Sequence, residues 1–342
     1  MASPMKLLGH LVIGVVLLAA AAWGSAALWF DGPAVRPLAA LLVVAYILAT
    51  LAVLIRIRPM RRAYAGALIL FAVLLGWWLS IAPSNDRDWQ PEVERLAYAE
   101  IDGDRVTVRN IRNFDYRSET EFTPAWYDKT FDVSKLESVD LVAVYWMGPA
   151  IAHTIMSFGF EGGDHIAFSI ETRKEKGEAY STVKGFFKQY ELYYVVADER
   201  DVIRVRSNYR KDPPEDVYVY RLHAPVENGR RIFLEYIKRI NSLKNKPEFY
   251  NTLTDNCTTG IWMNTRVNPG HPALSWKILA SGYVPEYLHE VGRLVPGTPF
   301  DELQRLAHIN PRAQAADQAT DFSRRIRIGI PGMDAPSNSP DE

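Results

Sequence analysis

Three stretches without a single Asp, Glu, Lys or Arg open the chain: 24 residues between Lys6 and Asp31, 19 between Arg36 and Arg56, and 23 between Arg62 and Asp86. Each is close to the ~20 residues of apolar helix that cross a hydrocarbon core. A core helix of a soluble protein seldom stays uncharged for so long, so three in succession predict three transmembrane helices within residues 1–85. Lys6 ahead of an apolar run and the small residues at 24–27 have features of a cleavable signal. The apolar part, however, continues through Leu28, Trp29 and Phe30, longer than a signal core, and reads as an anchor.

Arg56, Arg58, Arg61 and Arg62 crowd the link between the second and third runs, whereas the first link carries only Arg36 against Asp31. By the positive-inside rule the Arg-rich link is cytoplasmic, which puts the amino terminus inside and everything after Asp86 outside. In a bacterium this is a multi-pass inner-membrane protein with a periplasmic domain. Trp77, Trp78 and Trp89 flank the exit as an interfacial belt would.

Beyond the membrane, residues 86–342 hold 33 basic and 39 acidic side chains. A net-acidic bulk argues against a nucleic-acid binder, whose affinity rests on a basic face meeting phosphates. The lone cysteine, Cys257, excludes an intrachain disulfide framework and a zinc site of the paired-cysteine kind. No metal or cofactor is expected.

The exported part reads as an α+β domain. Val106 and Val108 alternate with polar residues after the turn signal Asp102, Gly103, Asp104. Strand-like runs rich in β-branched and aromatic residues follow at 141–147, 153–160, 165–171, 190–198 and 217–222. The GFEGGD link at 159–164 suits a hairpin. Phe233, Tyr236, Ile237, Ile240 and Leu243 fall at helical spacing, and a second helix is expected to begin at Cys257 after the cap-forming Asp255 and Asn256. Residues 313–320 and the tail read as solvated, with a short strand at 326–330. The expected division is a membrane anchor over 1–85, linker and strands over 86–131, the main domain over 132–332 and a disordered tail over 333–342.

Few residues can carry chemistry. A free thiol in an exported domain is exposed to oxidation, and its bland reading is a buried small hydrophobe. Cys257 instead sits among polar residues at an expected helix start, where the helix dipole and unpaired N–H groups favour a thiolate and can cradle an oxyanion. A thiol nucleophile needs a base, usually histidine. Of seven histidines, His153 and His165 lie on the strand pair around GFEGGD, and His165 begins its strand beside Gly162 and Gly163. The bland reading of either is a satisfied core or edge residue.

The segments GGDHIAFSIETRKEKGEAYS, GFFKQYELYYVVADERDVIRVRSNYR and YNTLTDNCTTGI resemble the Lnb N-terminal periplasmic domain family, whose founding activity is lipoprotein N-acylation. That family is similar to the circularly permuted branch of the papain-like NlpC/P60 superfamily, in which histidine precedes cysteine. The resemblance implies a papain-like fold with Cys257 as nucleophile and His165 as base.

A third group should orient the imidazole. His165, Ala167, Ser169 and Glu171 share one strand face, which makes Ser169, Glu171 and, from the next strand, Glu191 candidates; Glu171 is the leading choice. Asn256 and Thr258 are expected near the substrate carbonyl. Arg173, Arg204, Arg206 and Arg210 form a basic series suited to phosphate headgroups or to a solvated strand face, and Arg173 is the one assigned to substrate.

The function expected is a membrane-anchored thiol acyltransferase or hydrolase working through a thioester, with membrane lipid, lipoproteins or peptidoglycan peptides as partners and no nucleic acid. A cysteine peptidase or peptidoglycan amidohydrolase uses the same dyad, and a non-catalytic envelope scaffold would bury Cys257.

Overall fold

A computed structural model describes residues 4–333; the tail expected over 333–342 lies outside it except for Met333, which is buried. The chain divides into two compact units, residues 1–84 with 180–191 and residues 85–179 with 192–342.

The first unit contains α1 (Pro4–Phe30), α2 (Arg36–Arg56) and α3 (Met60–Ser80), all long and apolar enough to cross a membrane. Small residues bring these helices together: Ala27, Ala39, Ala63 and Ala67 are buried, and a Cβ on Gly24 would lie 2.9 Å from the Tyr46 ring. This is how helices associate where lipid removes the hydrophobic drive. Large apolar side chains such as Leu11, Leu18, Leu48 and Val73 point outward. Residues 180–191 pack onto one end of this bundle. Phe187 stacks on Phe30 with centroids 4.9 Å apart, Gln189 donates to Asp31 at 2.7 Å, and Trp78 Nε1 donates to the other Asp31 oxygen at 2.6 Å.

The second unit is a mixed sheet with helices on both faces. Its strands are β1 (Tyr98–Asp102), β2 (Arg105–Arg112), a small pair β3 (Asp115–Tyr116) and β4 (Phe122–Thr123), β5 (Trp126–Asp132), β6 (Leu136–Tyr145), β7 (Ala152–Phe160), β8 (Asp164–Arg173), β9 (Glu191–Ala197) and β10 (Asp216–Arg221). The main sheet runs β1-β2-β9-β8-β7-β6-β10, with β5 also paired to β2. β1, β2 and β5 therefore belong to this sheet, so the expected boundary at residue 132 is absent. β6, β7, β8 and β9 are buried on both faces, which explains their nearly continuous apolar runs.

Register separates the two faces. The pairs Ile155–Ser169, Ser157–Ala167 and Gly159–His165 share one face, and Met156–Phe168 and Phe158–Ile166 the other. Against the second face lie α5 (Val226–Asn245) and α6 (Cys257–Thr265), with Phe158 and Phe168 packed on Phe233 and Tyr236. On the first face lie α4 (Glu199–Arg204) and, after α7 (Trp276–Leu279), α8 (Val284–Glu290) and α9 (Phe300–Ala307), the short α10 (Asn310–Ala315) and α11 (Phe322–Arg325).

The carboxy-terminal part corrects the sequence reading. Ala313, Ala316, Phe322, Ile326 and Ile330 are buried in one cluster with Val142, Val144 and Val195, so 313–320 is packed helix and turn. Residues 326–330 are turn, not strand. Ile326 and Ile330 are buried while Ile328 between them is exposed, so the three do not share one face as alternate residues of a strand would.

Candidate functional site around Cys257

The loop before α6 is wound by side-chain caps. Asn251 Oδ1 accepts from the amides of Leu253 and Thr254 at 2.9 and 3.1 Å. Asn256 then caps the helix: its Oδ1 accepts from Thr258 N at 2.8 Å and Thr259 N at 2.9 Å, Thr259 Oγ1 accepts from Asn256 N at 3.1 Å, and Asn256 Nδ2 donates to Thr252 O at 2.7 Å. This reciprocal box satisfies the amides of Asn256, Thr258 and Thr259 among those a helix start leaves unpaired. It also corrects two expectations. The Asn256 side chain, expected at the substrate carbonyl, is spent on the backbone, and the Thr258 amide is already bonded to it rather than available to an oxyanion. Asn256→Ala should cost about 1 kcal/mol of stability, read by denaturant unfolding of the detergent-solubilised protein.

Cys257 is the first residue of this helix, as expected, and it is half-buried. Among the described residues its thiol has one hydrogen-bond partner, Thr258 Oγ1 at 3.6 Å, which in turn meets Thr154 Oγ1 at 3.2 Å. The Cys257 amide is the one N–H of the first turn for which the described residues show no acceptor. Gly260 lets the helix lie close to the sheet, since a Cβ there would come within 2.6 Å of Ile170.

Behind the thiol, α6 walls an apolar cavity of about 110 Å³ lined by Thr258 and Ile261 together with Met156, Ile232, Ile278 and Tyr287. An engineered apolar cavity of roughly 150 Å³ stays dry and takes up benzene, so this one is of a size and character to hold part of a hydrocarbon ligand.

His165 is not beside Cys257. It is half-buried at the start of β8, its Nδ1 2.9 Å from Gly163 O, and by register it lies on the face of Ser157 and Ala167. Cys257, through Thr258 and Gly260, belongs to the face of Thr154 and Ile170. The sheet separates the two side chains, and the expected dyad is corrected: His165 cannot take the thiol proton in this arrangement.

Glu171 does orient an imidazole, but that of His153. His153 Nε2 is 2.6 Å from Ser169 Oγ, which donates to Glu171 Oε1 at 2.8 Å, and Glu171 is also held by Arg206 at 2.9 Å. Burial would raise the Glu171 carboxyl, yet Arg206 and then His153 keep it well below the usual carboxylate range. Burial, reinforced by Arg206 and Arg210 against the pull of Glu171, pushes His153 down to about 3. Ser169 is fully buried, so the cluster is structural. Period two placed Ser169 and Glu171 on one strand face correctly; it could not show which histidine the neighbouring strand would bring to them.

This pocket yields a pH prediction. Unfolded, His153 binds a proton near the ordinary histidine value of 6.5, while the folded pocket holds the imidazole neutral down to about 3. Protonation therefore favours the unfolded chain, and the stabilisation is complete above pH ~6.5 and lost as pH falls from there toward 3. His153→Gln lacks this loss. The stability gap between wild type and H153Q should shrink by on the order of 3 kcal/mol from pH 7 to pH 4, as measured by unfolding at each pH; a constant gap contradicts the assignment.

The arginines are structural too. Arg173 is buried, donating to Val93 O, Glu94 O and Asn85 Oδ1 with its guanidinium 4.1 Å over the Trp89 ring. Arg204 meets Asp115, Arg206 meets Glu171 and Glu215, and Arg210 meets Glu215 and Glu119. None forms a solvated strand face: Arg204 ends α4, Arg206 lies in the π-turn after it, and Arg210 caps that turn. Glu191 accepts from Ser84 N at 3.1 Å within the first unit.

Three apolar helices joined to a mixed-sheet domain define a membrane-associated protein. Residues 122–282 match the family model of the Lnb N-terminal periplasmic domain. No curated protein and no solved structure matches the chain.

Proposed function

We propose that this protein is an inner-membrane enzyme whose periplasmic domain uses Cys257 as the nucleophile of acyl transfer or hydrolysis. The observation that carries the reading is a half-exposed lone thiol at the first residue of a capped helix whose next turn walls an apolar cavity. A scaffold has no use for an accessible thiol at such a place, and a peptidase would want an extended polar groove beside it. A cysteine that opens a helix packed on the middle of a mixed sheet also supports a permuted papain-like plan. The four arginines at the end of α2, in the link after it and at the start of α3 support the periplasmic side for the domain.

The chemistry asked of these residues is short. The thiol releases its proton to water. The thiolate sulfur bonds to the acyl carbon of an ester, and the Cys257 amide N–H is placed to meet the oxygen that becomes negative. The carbon–oxygen bond breaks, the alcohol leaves with a proton from water, and the thioester is resolved by an amine or by water, which returns the thiol. The cavity beside Thr258 holds the hydrocarbon part of the acyl group.

Alkylation tests the thiol itself. At neutral pH, iodoacetamide should modify Cys257 faster in the folded, detergent-solubilised protein than in the urea-unfolded chain. A slower reaction in the folded protein would favour the scaffold reading.

A further inference from the structure

Beside the cavity the domain exposes apolar side chains for which its own fold has no use. The four-residue α7 turns Ile278 inward as a wall of the cavity and leaves Trp276 63% exposed, with Leu274 and Leu279 exposed on either side of it. The loop between β6 and β7 exposes Met147, at 70%, and Ile151. The two loops are fixed to each other: Gly282 N donates to Ala150 O at 3.0 Å, Ala152 N donates to Ser281 Oγ at 2.9 Å, and Tyr145 OH donates to Gly282 O at 2.6 Å. A Cβ on Gly282 would lie 2.0 Å from Pro149 O, so the approach requires glycine. Lys277, the charged residue of α7, is neutralised by Glu286 at 3.2 Å and Glu290 at 2.7 Å. The result is a held apolar surface whose lysine is paired with carboxylates, and exposed apolar surface of this kind on a soluble domain marks an interaction site.

We propose that this surface docks into the interfacial layer of the lipid bilayer. The chain itself argues for that occupant. It carries three helices of membrane-spanning length. Only residues 81–84 separate the end of α3 from Asn85, whose side chain is bonded to Leu243 O and Lys244 O of the second unit, and four extended residues reach roughly 14 Å. The chain also passes between the units at 179–180 and 191–192. A bilayer is thus an apolar surface permanently within the domain's reach. A tryptophan among leucines and methionine is the composition such an interface accepts. Because Ile278 of the same helix walls the cavity, docking opens a route for a hydrocarbon chain from lipid to the neighbourhood of Cys257. The surface rests on the tether, not on the reactivity of Cys257.

The test uses the full chain in nanodiscs of phosphatidylethanolamine and phosphatidylglycerol. On a Cys257→Ser background, Leu279→Cys, Leu274→Cys and the control Lys238→Cys are each labelled with an environment-sensitive fluorophore. Lipids carrying a doxyl group at carbon 5 should quench the labels at 274 and 279 at least twofold more than the label at 238. Equal quenching at all three sites overturns the proposal. Energy transfer between labels on two copies at 279 without lipid quenching also overturns it, in favour of a second copy as occupant. Neither readout depends on whether Cys257 is a nucleophile.

Discussion

Replacing Arg327 with methionine should lower the unfolding free energy by about 3–5 kcal/mol, the cost of stranding a buried charge without its partner. Arg327 is buried, and it joins three distant parts of the domain. Its Nη2 and Nη1 donate to the two Glu199 oxygens at 2.6 and 2.8 Å, its Nε donates to Asp140 at 2.9 Å, and Nη1 also meets Ser323 O at 2.6 Å. Glu199 further accepts from Ser157 at 2.5 Å, and Asp140 from Arg221 at 2.5 Å. Burial would raise the Glu199 carboxyl, but Arg327 holds it well below the usual range. Without the guanidinium two carboxylates remain in the interior, one of them fully buried. Adding Glu199→Gln to Arg327→Met should recover part of the loss, because one stranded charge disappears. Denaturant unfolding of wild type, single and double variants in detergent reads both effects.

The second large effect concerns activity. Cys257→Ser should reduce turnover about 10⁴-fold or more, the scale on which removing a covalent nucleophile acts, while changing stability by no more than about 0.5 kcal/mol, since the half-exposed thiol contributes little packing. His165→Ala should leave turnover within about threefold, because its ring lies across the sheet from the thiol. The contrast between the two variants, measured as release or transfer of a labelled acyl group, separates this arrangement from the dyad that chain order suggested.

Much of the architecture was legible in the sequence because local pattern decides it. The uncharged runs, the hairpin around residues 161–163 and the apolar stripe of α5 follow from length, turn residues and spacing. The start of α6 followed from Asp255 and Asn256, and Cys257 was recognisable as the thiol at its end. What was not legible is which side of a sheet a helix lands on when it arrives about 90 residues later. Period two groups His165 with Ser169 and Glu171, yet nothing local says that α6 packs on Thr154 and Ile170 instead. The same limit explains the arginines. In ADERDVIRVRSNYR the charges read as solvated, but Glu199 and Asp201 are buried because Arg327 and Arg112 reach them from far along the chain. The Ala- and Gln-rich segment near residue 313 looked solvated for a related reason: its few apolar residues suffice once Phe322, Ile326 and Ile330 complete the cluster.

We propose that Cys257 takes its acyl group from a membrane lipid. Incubation of the detergent-solubilised full chain with phospholipid, followed by intact mass and fragment analysis, addresses it directly. A hydroxylamine-labile fatty acyl adduct on Cys257, absent from Cys257→Ser, is the result this account predicts. An adduct formed only from peptide or muropeptide substrates, or none from either, would contradict it.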